Sequence, residues 1–274
     1  MLEVLKALLL GIVQGITEWL PISSTGHLLL LDELVSLSLG PNAKELFMVI
    51  IQLASILAVI LLYFSLLNPF SPKKDKAEKA NTWVLWAKVL VATIPAGIAG
   101  ILLNDLMDTY LYRWQVIVVA LALYGAIYVV LEKKGRGTRA PRVTSLEAIS
   151  FKDAVAIGSF QMLALVPGTS RSGSTILGGI ILGIDRSIAA QFSFFMAIPV
   201  MAGASLLKLL KLGFSYTKEE YLLIAVAFVA SFVVSLVCIR GLVAYVRGHD
   251  FSIFGVYRIV LAVVVTLYFL STGR

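Results

Sequence analysis

Long apolar runs separated by short polar segments fill the chain from one end to the other. A transmembrane helix needs about 20 mostly apolar residues, and six runs have a suitable length. They cover residues 47–67, 83–103, 114–131, 189–212, 221–245 and 253–270, and Pro199 interrupts the fourth. The pattern predicts an all-α integral membrane protein, folded as a multi-pass helical bundle.

Two further apolar regions, 2–31 and 154–182, are broken in the middle by proline, glycine, serine and charged residues. Proline removes a helical hydrogen bond, and non-helical backbone is tolerated at membrane depth only where protein or a water-filled cavity surrounds it. A continuous helix across either break is therefore not expected. We predict two re-entrant broken helices.

Composition agrees with lipid as the solvent of the fold. Of the 274 residues, 59% are hydrophobic and 14% are charged, which is more apolar surface than one soluble domain could bury. The formal net charge is +7, but the basic residues stand in short loops, which favours anchoring to an anionic membrane leaflet over binding of nucleic acid. Cys238 is the only cysteine, which excludes a disulfide framework.

Basic residues cluster in two of the loops. Lys73, Lys74, Lys76 and Lys79 follow the first span, and Lys133, Lys134, Arg136, Arg139 and Arg142 follow the third. The positive-inside rule places both loops in the cytoplasm and the turn 104–113 outside. The loop 132–142 is predicted to join two halves, about 1–135 and 143–274, of a single domain in the cell membrane.

The two broken regions match each other at an offset of 147 residues. This offset places Gln14 on Gln161, Ser23 on Ser170, and Gly26 on Gly173. With the joining loop in the cytoplasm, the number of spans gives the two halves opposite topology. The sequence therefore predicts inverted repeats, in which the discontinuous helices meet near the membrane midplane.

Each broken region carries a polar motif. The first, QGITEWLPISSTGH, covers residues 14–27, and the second, QMLALVPGTSRSGST, covers 161–175. A charged side chain at the centre of a membrane helix costs about 2.5–3.5 kcal/mol on insertion scales. Glu18 and Arg171 should therefore face each other or a wet cavity.

The residue types in these motifs suit phosphoryl transfer. Arg171 is a fixed cation whose planar fork matches phosphate oxygens, and the glycines around it can expose backbone N–H groups to an anion. His27 is able to exchange a proton or attack phosphorus, and Glu18 to hold a divalent cation or act as a base.

Each of these residues also has a structural interpretation. Arg171 could serve only as the ion-pair partner of Glu18, and His27 could be a polar residue satisfied at an interface. The serines and threonines could cap broken helices, and the glycines could allow close helix packing.

The motifs resemble those of one known family, the undecaprenyl-diphosphate phosphatases associated with bacitracin resistance. Residues 14–27 are similar to its (E/Q)xxxE motif and the serine-histidine segment that follows it. Residues 161–173 are similar to its PGxSRSG motif, and residues 51–59, IQLASILAV, to a third segment. The resemblance covers nearly the whole chain. At one position, the first of the (E/Q)xxxE motif, this chain has Gln14 in place of an acidic residue, which the family pattern also allows.

The resemblance and the chemistry together predict a site. Its catalytic residues are His27, Glu18 and Ser24, its phosphate-binding residues are Arg171, Ser170, Ser172, Gly168, Gly173 and Thr25, and its metal ligands are Glu18 and Gln14. The resemblance implies dependence on Mg²⁺ or Ca²⁺. An amide is a weaker metal ligand than a carboxylate, which weakens the prediction for Gln14.

The resemblance also implies hydrolysis of a polyprenyl diphosphate, undecaprenyl diphosphate, to the monophosphate for cell-wall synthesis, with a site open to the outer face and a homodimer as a further partner. His27 would attack phosphorus directly, or activate water or Ser24. The rival hypothesis is a transporter or lipid flippase, since inverted repeats with broken helices are typical of transporters. A structural scaffold would leave the two buried polar clusters unexplained.

Overall fold

The protein is described by a computed structural model that covers residues 1–133, 140–213 and 215–273, without the side chains of residues 104, 105 and 108. The helices in chain order are α1 Leu2–Thr17, α2 Ser24–Leu34, α3 Pro41–Leu62, α4 Phe64–Leu67, α5 Lys76–Tyr110, α6 Trp114–Lys133, α7 Phe151–Met162, α8 Arg171–Ile181, α9 Arg186–Leu212, α10 Lys218–Val246 and α11 Ser252–Thr272. Most of the predicted basic loop 132–142 lies outside the described residues.

Six helices are long and apolar enough to cross a membrane: α3, α5, α6, α9, α10 and α11. Within the described ranges the only β pairing is an isolated bridge between Val143 and Ile184. The predicted all-α, multi-pass bundle is therefore confirmed.

Two predicted details of the spans are wrong. Helix α9 continues through Pro199, and α5 continues through Pro95 in the same way. A proline removes only its own N–H from the helix, and packed neighbours in a membrane bundle tolerate that loss. The predicted turn 104–113 is also shorter, because α5 runs on to Tyr110 before α6 begins at Trp114.

The two broken regions are confirmed at the predicted places. Helix α1 is separated from α2 by residues 18–23, and α7 from α8 by residues 163–170, which include a 3-10 turn. Ser23 and Ser170 end the two breaks with the same backbone conformation, at φ values of 72° and 75°. Each serine caps its helix by accepting from a glycine N–H three residues later.

The packing around the breaks is also equivalent in the two halves. Helix α1 packs on α10 where Gly11 meets the backbone of Ala227, and α7 packs on α5 where Gly158 meets the backbone of Ala92. Helices α6 and α11 pack on each other. Matched contacts of this kind are what two repeated halves would form. The opposite topology of the halves stays a prediction.

The contact at Gly158 should not tolerate a side chain. A Cβ at this position would overlap the carbonyl oxygen of Ala92, so Gly158→Ala must push α7 away from α5. Overpacking of this kind costs about 1–3 kcal/mol, which exceeds the helix propensity gained by alanine, about 1 kcal/mol. We expect a lower unfolding temperature in detergent.

Gly97→Ala is the matched control for that substitution. Gly97 lies in α5, where an added Cβ would meet no atom within 4 Å outside its own helix backbone. The control should unfold at the temperature of the unmodified protein or above it. Equal unfolding temperatures for the two variants would contradict the close approach of α7 and α5.

Candidate active site

The two helix breaks touch through a buried ion pair. The Nη2 atom of Arg171, in the first turn of α8, donates to Oε1 of Glu18 at 3.0 Å. Both side chains are nearly enclosed, with 13% and 9% of their surface exposed. The predicted pairing of Glu18 with Arg171 is confirmed, and it joins residues 153 positions apart.

Glu18 follows the last residue of α1 and receives donors from both motifs. Besides Arg171, the Nε2 atom of Gln14 donates to its Oε2 at 3.1 Å, and the hydroxyl of Ser24 donates to the same oxygen at 3.2 Å. Gln14 lies one helical turn before Glu18, so the two side chains share one side of α1. Three donors therefore fix the orientation of the carboxylate.

Arg171 retains donors for a ligand. Its Nη1 donates to the carbonyl of Ser193 at 2.9 Å, and its guanidinium lies 5.6 Å from the ring centroid of Trp19. The hydrogen bonds to Ser193 and to Glu18 use two of the five N–H donors of the side chain. The ion-pair role of Arg171 is therefore observed, and the other three N–H donors of its side chain are not used by these two hydrogen bonds.

The serines of the second motif divide between two tasks. Ser170 caps α8 by accepting from the N–H of Gly173 and lies 3.2 Å from the hydroxyl of Ser172. Ser172 is buried and reaches the first break, where it lies within hydrogen-bond distance of the carbonyls of Glu18 and Leu20. Ser172 therefore ties the two breaks together.

Gly168 and Thr25 stand at the edges of this region. Gly168 has a φ of +93°, and an added Cβ would lie 2.6 Å from the carbonyl oxygen of Ile117 in α6. Only glycine fits both requirements, so this residue shapes the loop before α8. Thr25 lies in the first turn of α2 and is exposed.

The ring of His27 is held from both sides. Its Nδ1 lies 2.7 Å from the carbonyl oxygen of Ser23, which is able only to accept, so Nδ1 carries a proton. In the neutral ring the lone pair is then on Nε2, where the Tyr257 hydroxyl donates at 2.6 Å. The two rings also stack, with centroids 5.5 Å apart. The network thus leaves the lone pair of the neutral ring on Nε2.

The predicted metal ligands form a small set. Gln14 and Glu18 supply one amide oxygen and one carboxylate, and the amide oxygen of Gln14 is buried with no donor from the described part of the chain. No group of three or more His, Cys, Asp or Glu residues suited to a metal occurs within the described ranges. Mg²⁺ is often held by one or two carboxylates, waters and substrate phosphates, so this donor set fits a cation that shares its ligands with a phosphate.

Two residues of α11 that contact the site were missed by the sequence analysis. Tyr257 contacts His27, and Arg258 is fully buried against the loops of both breaks. Arg258 had a signal, because an ionisable residue within the apolar run 253–270 is by default a candidate functional residue. Tyr257 had none, since tyrosine is ordinary in a membrane span.

The fold and the site define a class: a multi-pass membrane protein with a buried, partly cationic site built between two broken helices. The chain belongs to the bacitracin resistance protein BacA family, whose model matches residues 7–264. The family resemblance predicted from the two motifs is confirmed.

Relatives match over nearly their whole length. An undecaprenyl-diphosphatase of Limosilactobacillus fermentum is 52% identical over 272 residues, which cover 98% of each chain. Undecaprenyl-diphosphatase 1 of Clostridioides difficile is 50% identical over 269 residues, covering 98% of this chain and 97% of its own. That of Enterococcus faecalis is 47% identical over 268 residues, covering 97% of each chain.

Proposed function

We infer that the chain is a membrane hydrolase that converts undecaprenyl diphosphate to undecaprenyl phosphate and inorganic phosphate. This activity recycles the carrier lipid for cell-wall synthesis and gives resistance to bacitracin. The observation that carries the inference is the junction of the two breaks, where Arg171 and Glu18 meet in a chain about half identical to undecaprenyl-diphosphatases.

The residues suggest how the reaction is divided among them. Arg171 and the N–H groups at the start of α8 would bind the phosphates, because a guanidinium fork and a helix N-terminus both favour anions. The Nε2 lone pair of His27 would attack the terminal phosphorus, or remove a proton from water or from Ser24. In each case the bond from the terminal phosphorus to the bridging oxygen breaks, and the monophosphate leaves. If His27 or Ser24 is the nucleophile, water then hydrolyses the phosphorylated side chain and releases inorganic phosphate; if water attacks, inorganic phosphate forms directly.

The direct test is phosphate release by the purified protein in detergent. Undecaprenyl diphosphate is supplied in mixed micelles, where no transmembrane gradient exists, and inorganic phosphate is measured over time. A hydrolase should release one phosphate per lipid and leave the monophosphate. A transporter or flippase would release none, and that result would overturn the proposal.

A divalent cation is part of the proposal, as Mg²⁺ or Ca²⁺ held by Glu18, Gln14 and the substrate phosphates. The cation would neutralise charge on the terminal phosphate during its transfer. We expect phosphate release to fall to background in EDTA and to return when either ion is added. Gln14→Leu should raise the cation concentration needed for half-maximal activity, and Gln14→Glu should lower it, because a carboxylate binds these ions better than an amide.

Undiminished activity in excess EDTA would remove the metal from the mechanism. An unchanged cation requirement in both Gln14 variants would instead move the ion away from residue 14. The two outcomes are separable, because the first concerns the ion and the second its ligand.

The proposal extends to location and assembly. The site would open to the outer face of the cell membrane, as the family resemblance implies. Undecaprenyl diphosphate inside sealed vesicles of known protein orientation would test this opening. A homodimer is proposed from the family resemblance alone, and the mass of the purified protein in detergent would test it.

A further inference from the structure

Arg258 of α11 is fully buried, with a guanidinium held by backbone carbonyls of both breaks. Its Nη1 donates to Pro21 at 3.2 Å and to Thr169 at 2.9 Å, and its Nη2 donates to Gly168 at 2.9 Å. Pro21 lies in the break of the first half, and the other two residues lie in the break of the second half. The Arg258 side chain therefore joins the two loops, in addition to the contacts of Arg171 and Ser172 with the first break.

The charge of Arg258 is not cancelled by a carboxylate. None of the ion pairs formed among the described residues includes it, and its guanidinium lies 5.7 Å from the ring centroid of Tyr124. Carbonyl oxygens satisfy N–H donors without removing a full charge. Arg171 and Arg258 thus set two guanidinium groups against the single carboxylate of Glu18.

This uncancelled charge lies beside the start of α8. A Cβ added to Gly173 would be 3.1 Å from Nη1 of Arg258 and also 3.1 Å from Cβ of Ser170. The Gly173 N–H belongs to the first turn of α8, where the positive end of the helix dipole adds to the same field. A dianionic or trianionic group near this turn would therefore be attracted by the guanidinium of Arg171 and by the field of Arg258.

We propose that Arg258 is a positioning residue for the diphosphate, which clamps the two loops at the correct separation and supplies the excess positive charge of the site. It does not touch the substrate, because it is fully buried, and it acts through the loops and through its field. The proposal rests on the proposed function, and it predicts separate effects for the clamp and for the charge.

Two substitutions separate these effects. Arg258→Lys keeps the charge, but a single ammonium cannot bind carbonyls on both loops with the geometry of a guanidinium. Its kcat should fall by about 100-fold, the size expected when reacting groups are misplaced by about 1 Å, while its KM stays near that of the unmodified protein. Arg258→Met removes the charge as well, so the same loss of kcat should come with a KM several-fold higher.

The control is Arg240→Met, the same substitution at an exposed arginine of α10. All variants are purified in one detergent, checked by gel filtration, and assayed for phosphate release from undecaprenyl diphosphate. If the unmodified protein releases no phosphate, the proposed function fails. If the unmodified protein releases phosphate, either of two results overturns the inference. One is that both Arg258 variants have the kcat and KM of the unmodified protein, and the other is that both lose kcat while their KM values equal each other. Failure of both variants to fold would overturn it too, because Arg258 would then be a structural residue only.

Discussion

His27→Ala should lower phosphate release by about 10²–10⁴-fold while the protein still binds its lipid, because general acid–base groups commonly contribute that factor. The structure indicates which nitrogen of the His27 ring would take part. Its Nδ1 is committed to the carbonyl of Ser23, so Nε2 is the nitrogen available to a proton or to phosphorus. Each proposed role of His27, as nucleophile or as base, needs that lone pair, and alanine has none.

His249→Ala provides a matched control for His27, since the chain has two histidines. His249 is exposed after the end of α10, where its ring stacks on Tyr245. Turnover is measured as phosphate release, and binding as retention of a non-hydrolysable methylene-bridged prenyl diphosphonate. Full turnover in the His27 variant would remove this residue from the chemistry. Lost binding with normal folding would make it a ligand-binding residue instead.

The Tyr257 hydroxyl donates to Nε2 of His27, the nitrogen that each proposed role of His27 requires. A hydroxyl is able to donate to neutral Nε2 and to accept from protonated Nε2, so Tyr257 suits both protonation states of His27 without adding charge. In the proposed mechanism the substrate or a water molecule would take the place of this hydroxyl at Nε2.

The broken helices and the Glu18–Arg171 pair could be predicted from the sequence. Ionisable side chains are costly inside a membrane, so two of opposite charge within apolar regions are expected to pair with each other. The match of Ser23 with Ser170 could also be recognised in the sequence, and in the structure both serines have the same rare backbone conformation, with positive φ.

Other features depended on long-range contacts that no local pattern contains. Arg258 finds its acceptors on carbonyls of Pro21, Gly168 and Thr169, and every residue type carries such a carbonyl. The continuity of α9 through Pro199 likewise depends on packing around that helix. A proline in the sequence indicates a lost hydrogen bond, but only the neighbours decide whether the helix ends there.

Arg171→Ala should lower kcat/KM by about 10²–10³-fold, comparable to the loss of one preorganised donor to a developing anion. It should also destabilise the protein by about 3–5 kcal/mol, because Glu18 would remain buried without its partner. The two effects have different causes. The first reflects the missing phosphate ligand, and the second reflects the uncompensated carboxylate.

The double variant Arg171→Ala with Glu18→Gln separates them. A neutral amide at residue 18 no longer needs a cation, and it retains a carbonyl oxygen for the donors of Gln14 and Ser24, so most of the lost unfolding temperature should return. Because Glu18 is itself a proposed catalytic residue and metal ligand, the phosphate release of the double variant is compared with that of Glu18→Gln alone. If Arg171 served only as the ion-pair partner of Glu18, its removal from the Glu18→Gln background would cost no further activity. Equal turnover in the single and double variants would therefore assign Arg171 a structural role, whereas a further loss of turnover at equal unfolding temperature would support binding of the substrate by this guanidinium.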